Sequence, residues 1–356
     1  MSAPPQTPTA AVAGFTMPAE WEPQEAVWMS WPVDPRLWPG RLEAIQGILA
    51  NLAAALARHI NVRINADPAH HAGIRRALKS SRADTLAIEL FPHPTNDVWC
   101  RDHGPTFVRH RDTGEIALVD WTFNAWGEKF EPHNLDNEVP QRIAESLGLR
   151  RFPVNFTFEG GGLEADGEGR ILTTESVALN PNRNPGIMRS QADEILRQSL
   201  GADEIIWLPS GLEGDDTDGH IDTLTRFTAP GTLLTAVEPN RSDPNHAILE
   251  QNKQLLIDAG LEVIDLPQPP PIPAPSGWRE SRLPGTYANF LITNGAVLAP
   301  VYGFRKEDDH ALGILRQAFP GHKVTPFDCR EILLEGGAIH CLTQQQPAAT
   351  TPQDRA

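Results

Sequence analysis

Four short stretches of the chain hold side chains that could do chemistry. NDVWCRDHGP carries Asp97, Trp99, Cys100, Arg101, Asp102 and His103, and FEGGGLEADG carries Glu159 ahead of Gly160, Gly161 and Gly162. DDTDGHIDTL carries Asp218, His220 and Asp222, and EGGAIHCLTQQQP carries Gly336, Gly337, His340 and Cys341. A thiol, an imidazole and several carboxylates together are the parts for nucleophilic attack on a cationic carbon: the thiolate attacks, the imidazole moves protons, and carboxylates hold the cation. Read as an extended strand, DGHID puts His220 and Asp222 on one face and Ile221 on the other. The same parity turns His340 and Cys341 to opposite faces, so His220, reached through space, is the better partner for the thiol.

Each residue alone has a plainer reading. Cys341 could be a small buried hydrophobe, His220 and Asp222 a polar strand edge, Glu159 a strand end turning into a loop, Trp99 core packing, and Asp97 or Asp102 an ion-pair partner for Arg101. Cys341 stands out because Gly336 and Gly337 permit close backbone approach to a ligand. Cys329, in FDCRE, has no such frame. Cys100 shares a face with Asp102 if that stretch is extended and could line a pocket wall, but a neighbouring carboxylate raises a thiol pKa and makes it a poor nucleophile.

Taken together, the acids suit one kind of ligand. Asp102, Asp222 and Glu159 can accept the planar fork of N–H donors of a guanidinium. The positive charge of such a substrate offsets the burial of several carboxylates and favours the thiolate form of Cys341. His220 would then protonate departing ammonia and, once neutral, activate water.

The elements that must position these residues repeat. An opening strand in MPAEWEPQEAVWMSWP is followed by a helix over residues 41–58, a strand over 60–64, a helix over 72–80 and a strand over 86–91. Gly-containing hairpins turn at Thr113-Gly114, Asp166-Gly167, Pro230-Gly231 and Asn294-Gly295, at steps of about 53 to 64 residues. Helices over 139–147, 188–200, 246–259 and 310–319 lie between or after them, and short strands such as EIIWLPS and LEVIDLP follow. A repeated strand-hairpin-helix module predicts one closed α/β ring rather than two unrelated domains. Its expected span is 14–347, with a mobile lead at 1–13 and a tail at 348–356. The Pro-rich run from Pro267 to Arg282 reads as an inserted rim loop.

The composition agrees with a folded protein that binds cations. The chain has 356 residues, 46 acidic against 30 basic, a formal net charge of −16, and 40% apolar content. An acidic balance argues against nucleic acid, whose phosphates need a basic footprint. No apolar run reaches the roughly 18 residues of a membrane span, and the N-terminus lacks the basic and apolar regions of a secretory signal, so a cytoplasmic location is the expectation. Three widely spaced cysteines fit neither a disulfide framework nor a C-x-x-C zinc site. A homo-oligomer is the base-rate expectation.

At these residues the chain resembles the agmatine deiminases, a branch of the guanidine-modifying, amidinotransferase-like superfamily that includes bacterial peptidylarginine deiminases. The resemblance runs from FTMPAEWEPQEAVWMSWP through NDVWCRDHGPTFV, DWTFNAWG, the EGG at Glu159, LTTESVALNPNRNP, DGHID and YANFLITNGAVLAPVYG to IHCLTQQQP. It implies a fivefold pseudosymmetric α/β propeller with no metal or organic cofactor and a small cationic guanidine as substrate. It further implies Cys341 as nucleophile, His220 as acid/base, and Asp102 and Asp222 as guanidinium-binding aspartates. Glu159, Trp99, Asp97 and Gly337 are the expected pocket residues around them. The chain departs from the agmatine deiminase pattern at Glu335 and Ala338, where glycine and asparagine are usual, and from Gly162 to Glu164. These departures bear on substrate choice. Deimination of free or peptidyl arginine is the alternative within the superfamily, and a non-catalytic propeller that binds a small cation is the alternative outside it.

Overall fold

Five sheets of the computed structural model, which describes residues 8–276 and 281–350, share one connectivity. In each, two antiparallel strands are followed by a helical crossover to a third strand that pairs in parallel. Thr106–His110, Ile116–Thr122 and Arg150–Thr157 form the first such unit. Glu164–Ala165, Arg170–Thr174 and Glu204–Leu208 form the second, and Thr225–Ala229, Thr232–Val237 and Glu262–Pro267 the third. Leu291–Thr293, Ala296–Val301 and Lys323–Asp328 form the fourth. The fifth joins the two ends of the chain: Thr343–Pro347 runs antiparallel to Gln24–Ser30, which pairs in parallel with Asn61–Asn65 and through it with Ile88–Phe91. No Gly-containing hairpin marks this unit, because its antiparallel strands are more than 300 residues apart. The fold is α/β as expected, built of separate short sheets; among the described residues the strands form no closed sheet.

The helices lie close to their expected positions because each carries a clear apolar stripe. Leu42–Leu56 buries Ile45, Leu49, Leu52 and Leu56 against the sheet beneath it. Val139–Leu147 ends on Gly148, whose φ of +64° gives the left-handed cap. The last helix begins earlier than expected, at Arg305–Ala318, because the acidic run Glu307 and Asp308 suits its first turn. Residues 85–87 form a 3₁₀ turn that leaves Leu86 exposed, so that strand starts at Ile88.

Some expectations change. The described part of the expected mobile lead is docked: Ala10 is buried and the amide of Ala11 donates to the carbonyl of Gln198 at 3.0 Å. The start of the tail is held by a bond from the amide of Ala348 to the carbonyl of Pro23 at 2.8 Å. Residues 1–7 and 351–356, also in these segments, lie outside the described residues. In the Pro-rich loop, Ile272–Pro273 pairs antiparallel with Arg282–Leu283, while 277–280 lie outside the described residues. No helix among the described residues is long and apolar enough to cross a membrane.

Candidate active site

The loops that follow or precede these strands bring the four chemical stretches together. Cys341 lies in a turn just ahead of Thr343–Pro347, and Asp102 in the short helical turn Cys100–His103. The amide of Arg101 donates to the carbonyl of Cys341 at 3.1 Å, which locks the two stretches to each other. That turn corrects the reading of NDVWCRDHGP as extended. Cys100 consequently points away, into a buried contact with Asn65 Nδ2 at 3.7 Å, and burial pushes its thiol up to about 12. It does not line the pocket.

DGHID is not a strand either. Gly219, with φ +110°, lies so close to Gly211 that a Cβ there would meet backbone at 2.6 Å, and the chain turns into a 3₁₀ segment, Ile221–Thr223. The Thr223 hydroxyl donates to the carbonyl of His220 at 2.8 Å and holds this turn. The shared-face argument therefore fails in its premise. His220 and Asp222 still reach the site, but they flank it and serve different neighbours.

One side of the site belongs to His220. Its Nε2 lies 3.4 Å from Glu159 Oε2 and its Nδ1 lies 3.5 Å from Asp102 Oδ1. Burial alone would favour the neutral ring; the carboxylates of Asp102 and Glu159 outweigh it and raise the imidazole to about 9. Asp102 is raised too, to about 7, which for a carboxyl is toward the neutral form, by its own burial against the pull of His220. Trp126 Nε1 and the amide of Gly161 donate to its two oxygens at 3.1 Å each. Glycine is required beside them: a Cβ on Gly161 would lie 2.5 Å from His220 Nδ1 and 2.6 Å from Asp102 Oδ1, and one on Gly160 would lie 2.2 Å from the carbonyl of Arg101.

The other side belongs to Cys341. Its Sγ accepts from Asn289 Nδ2 at 3.1 Å and lies 3.7 Å from Asp222 Oδ2. Burial, then the charges of Asp222 and Asp102, push its thiol well above the usual range. Asp222 also accepts from His340 Nδ1 at 2.7 Å. His340 is thus committed to a carboxylate, which is the structural reason it is a poor base for its neighbour.

Between these sides opens a cavity of about 360 Å³. Asp97, Trp99, Asp102, Gly337 and Cys341 line it, whereas His220, Asp222 and Glu159 sit fully buried outside the set that lines it. Glu159 is corrected in role: both its oxygens accept from Arg183 Nε, at 2.8 and 2.9 Å, and one contacts His220, so it serves the imidazole rather than presenting a free face to a ligand. Trp99 lies over Gly337, where a Cβ would meet its ring at 2.3 Å. Burial raises Asp97 to about 7. Of the departures, only Glu335 lines the cavity; Ala338 is buried in the apolar core, and Glu164 is paired with Arg226 at 2.7 Å.

Several residues here escaped sequence reasoning. Asn289 sits inside an apolar run, YANFLIT, and an amide there was a signal. Trp126 is held by a segment in which Ala125, Trp126 and Glu128 all have positive φ, 51°, 57° and 60°, a strained backbone of the kind found at functional sites. Asp215, Asp216 and Thr217 line the cavity from the loop before His220.

Comparison with known proteins places the chain in a family. A family model described as Porphyromonas-type peptidyl-arginine deiminase matches residues 16–347. An agmatine deiminase of Stutzerimonas stutzeri is 40% identical over 96% of this chain and 98% of its own length, and one of Medicago truncatula is 38% identical over 94% and 97%. The agmatine deiminase of Enterococcus faecalis superposes with a TM-score of 0.90 at 31% identity, covering 98% of this chain and 100% of that one. A cysteine-to-serine variant of C. jejuni agmatine deiminase with substrate bound superposes with a TM-score of 0.85 at 32% identity, covering 94% and 96%. Across nearly its whole length, the chain belongs to the family of agmatine deiminases and Porphyromonas-type peptidyl-arginine deiminases.

Proposed function

We propose that the chain hydrolyses agmatine to N-carbamoylputrescine and ammonia. The observation that carries this reading is the charge of the cavity wall: Asp97, Asp102, Asp215, Asp216 and Glu335 line it beside Cys341, and no described Lys, Arg or His does. Such a wall favours a guanidine with a second cation and no carboxylate. Arginine would bring a carboxylate among these acids with no described cation to meet it. Three buried arginines nearby are engaged with acids: Arg101 with Glu20 at 3.6 Å, Arg183 with Glu159 and Asp218, and Arg226 with Glu20 and Glu164.

In the proposed reaction the guanidinium is held by Asp102 and by Asp222 Oδ1, a buried oxygen with no hydrogen-bond partner of its own. Entry of the cation offsets the burial and the carboxylate charges that keep Cys341 protonated, and its proton leaves to solvent. The thiolate attacks the guanidinium carbon. His220, whose Nδ1 has no hydrogen-bond partner, gives its proton to the departing nitrogen, the C–N bond breaks and ammonia leaves. Neutral His220 then takes a proton from water as the water adds to the thiouronium carbon. The C–S bond breaks as the new hydroxyl gives up its proton to solvent, where the released ammonia takes one up, returning the thiolate and releasing the ureido product. Glu159, itself held by Arg183, keeps the ring oriented and favours its charged form. Trp99 walls the pocket over Gly337. The same reading arranges the five sheet units as a fivefold pseudosymmetric propeller around this site, supported by their shared connectivity.

The test is a panel of agmatine, arginine, arginyl peptides and guanidinobutyrate, assayed for ammonia and ureido product. Agmatine is expected to be the best substrate, and Cys341→Ala to abolish turnover while leaving the fold intact. Retained turnover in that variant would eliminate the mechanism; preference for arginine would eliminate the substrate.

A further inference from the structure

His340 is buried, unused by the reaction above, and held at both ring nitrogens by carboxylates. Nδ1 is 2.7 Å from Asp222 Oδ2, and Nε2 is 2.7 Å from Glu20 Oε2. A neutral imidazole has one N–H and could serve only one of these contacts; the other would set lone pair against lone pair. The triad therefore holds a second proton, either on the ring or on a carboxyl. Burial and the guanidiniums of Arg101 and Arg226 outweigh the pull of Glu20 and Asp222 and lower the ring below its ordinary value, so the case for a charged ring rests on the contacts alone. The wider pattern favours the charged ring. Glu164, Arg226, Glu20, His340 and Asp222 follow one another in contact, at 2.7, 2.8, 2.7 and 2.7 Å, and their charges alternate only if His340 is a cation. With Arg101 beside Glu20, three cations then balance three carboxylates.

The far end of this chain is the carboxylate beside the nucleophile. Asp222 Oδ2 is taken by His340 and lies 3.7 Å from Cys341 Sγ, whereas Oδ1 is buried without a partner. We propose that His340, clamped by Glu20, is a positioning residue that fixes the Asp222 carboxylate so that Oδ1 faces the guanidinium of the substrate. The clamp reaches across 320 residues of sequence, from the N-terminal segment to the residue before the nucleophile. Glu20 is fixed in turn by the amide of Ile292, which donates to its Oε1 at 2.7 Å. An unclamped Asp222 would be free to turn Oδ1 away, or to leave both oxygens near the sulfur and hold the thiol protonated.

The inference rests on the proposed reading of the site as a guanidine pocket, and its test separates the two. Calorimetric titration in the Cys341→Ala background measures binding without turnover, with agmatine and with propylguanidine, which lacks the second cation. His340→Gln in that background should weaken both ligands alike, by about tenfold or more, since one charge-assisted hydrogen bond to the guanidinium is lost. A residue serving only the fold would lower the thermal midpoint and leave the affinity of the folded fraction unchanged, and that result would overturn the positioning role. Should His340→Gln not fold, Glu20→Gln is the comparison: it keeps an acceptor for the Ile292 amide but weakens the clamp, and should shift both affinities in the same direction. Unchanged affinity there also overturns the inference. In the enzyme with Cys341 intact, KM should rise along with any fall in kcat. Failure of Cys341→Ala itself to bind either guanidine would overturn the functional reading, and this inference with it.

Discussion

Replacing Gly161 with alanine would place a methyl group on the nitrogen proposed to carry the catalytic proton. The added Cβ would lie 2.5 Å from His220 Nδ1 and 2.6 Å from Asp102 Oδ1, short of an ordinary contact of 3.4 Å by about 0.9 Å and 0.8 Å. Gly161 does not have a positive φ, so alanine meets no backbone penalty there, and the strain must be taken up by these two side chains. A displacement of about 1 Å at reacting groups lowers rates on the order of 100-fold. Ammonia release from agmatine should therefore fall by about 100-fold in kcat/KM, with a smaller change in thermal midpoint. Its two neighbours are the controls. A Cβ on Gly160 would press at 2.2 Å on the carbonyl of Arg101, which is backbone and cannot yield, so Gly160→Ala should impair folding itself. A Cβ on Gly162 would meet the side chains of Phe158 at 3.0 Å and Val177 at 3.5 Å, so Gly162→Ala should destabilise by about 1 kcal/mol as a packing change with turnover retained. Gly161→Ala that folds and keeps kcat/KM within about threefold, far from the expected loss, would refute the placement of His220 and Asp102 at the reacting centre.

Two further predictions concern charge. Burial raises Asp102 and Asp97 to about 7, so both carboxyls take up protons as pH falls through neutrality and lose their attraction for a cation. Agmatine affinity in Cys341→Ala should be near its plateau above pH 8 and weaken below pH 7, by up to about tenfold per pH unit for each carboxyl that must ionise. Titrations at several pH values check this, and constant affinity from pH 5 to 8 would contradict it. Glu335 stands on the cavity wall where the agmatine deiminase pattern has glycine, and its Oε1 accepts from the amide of Trp38 at 3.1 Å. Glu335→Gly should raise KM for agmatine about threefold to tenfold and leave propylguanidine nearly unaffected; equal shifts for both would show that it does not sense the distal ammonium.

The sequence by itself determined the kinds of groups available and the local elements that carry them. Apolar spacing located helices such as Leu42–Leu56, and Gly-containing turns located the antiparallel pair in four of the five repeated sheet units, because both signals lie within a few residues of each other. The functional residues of the resemblance were visible as motifs for the same reason. The tertiary structure decided their partners. That Glu159 supports His220, and that His340 reaches Glu20 in the opening segment, depends on contacts between residues tens to hundreds of positions apart, which no local pattern encodes. Local geometry also yielded to these contacts: close packing of Gly219 against Gly211 bent the DGHID stretch that alternation would have made a strand. Burial then set the chemistry. Exclusion of water raises Asp102 and keeps Cys341 protonated, and the fixed carboxylates of Asp102 and Glu159 keep His220 charged against its own burial.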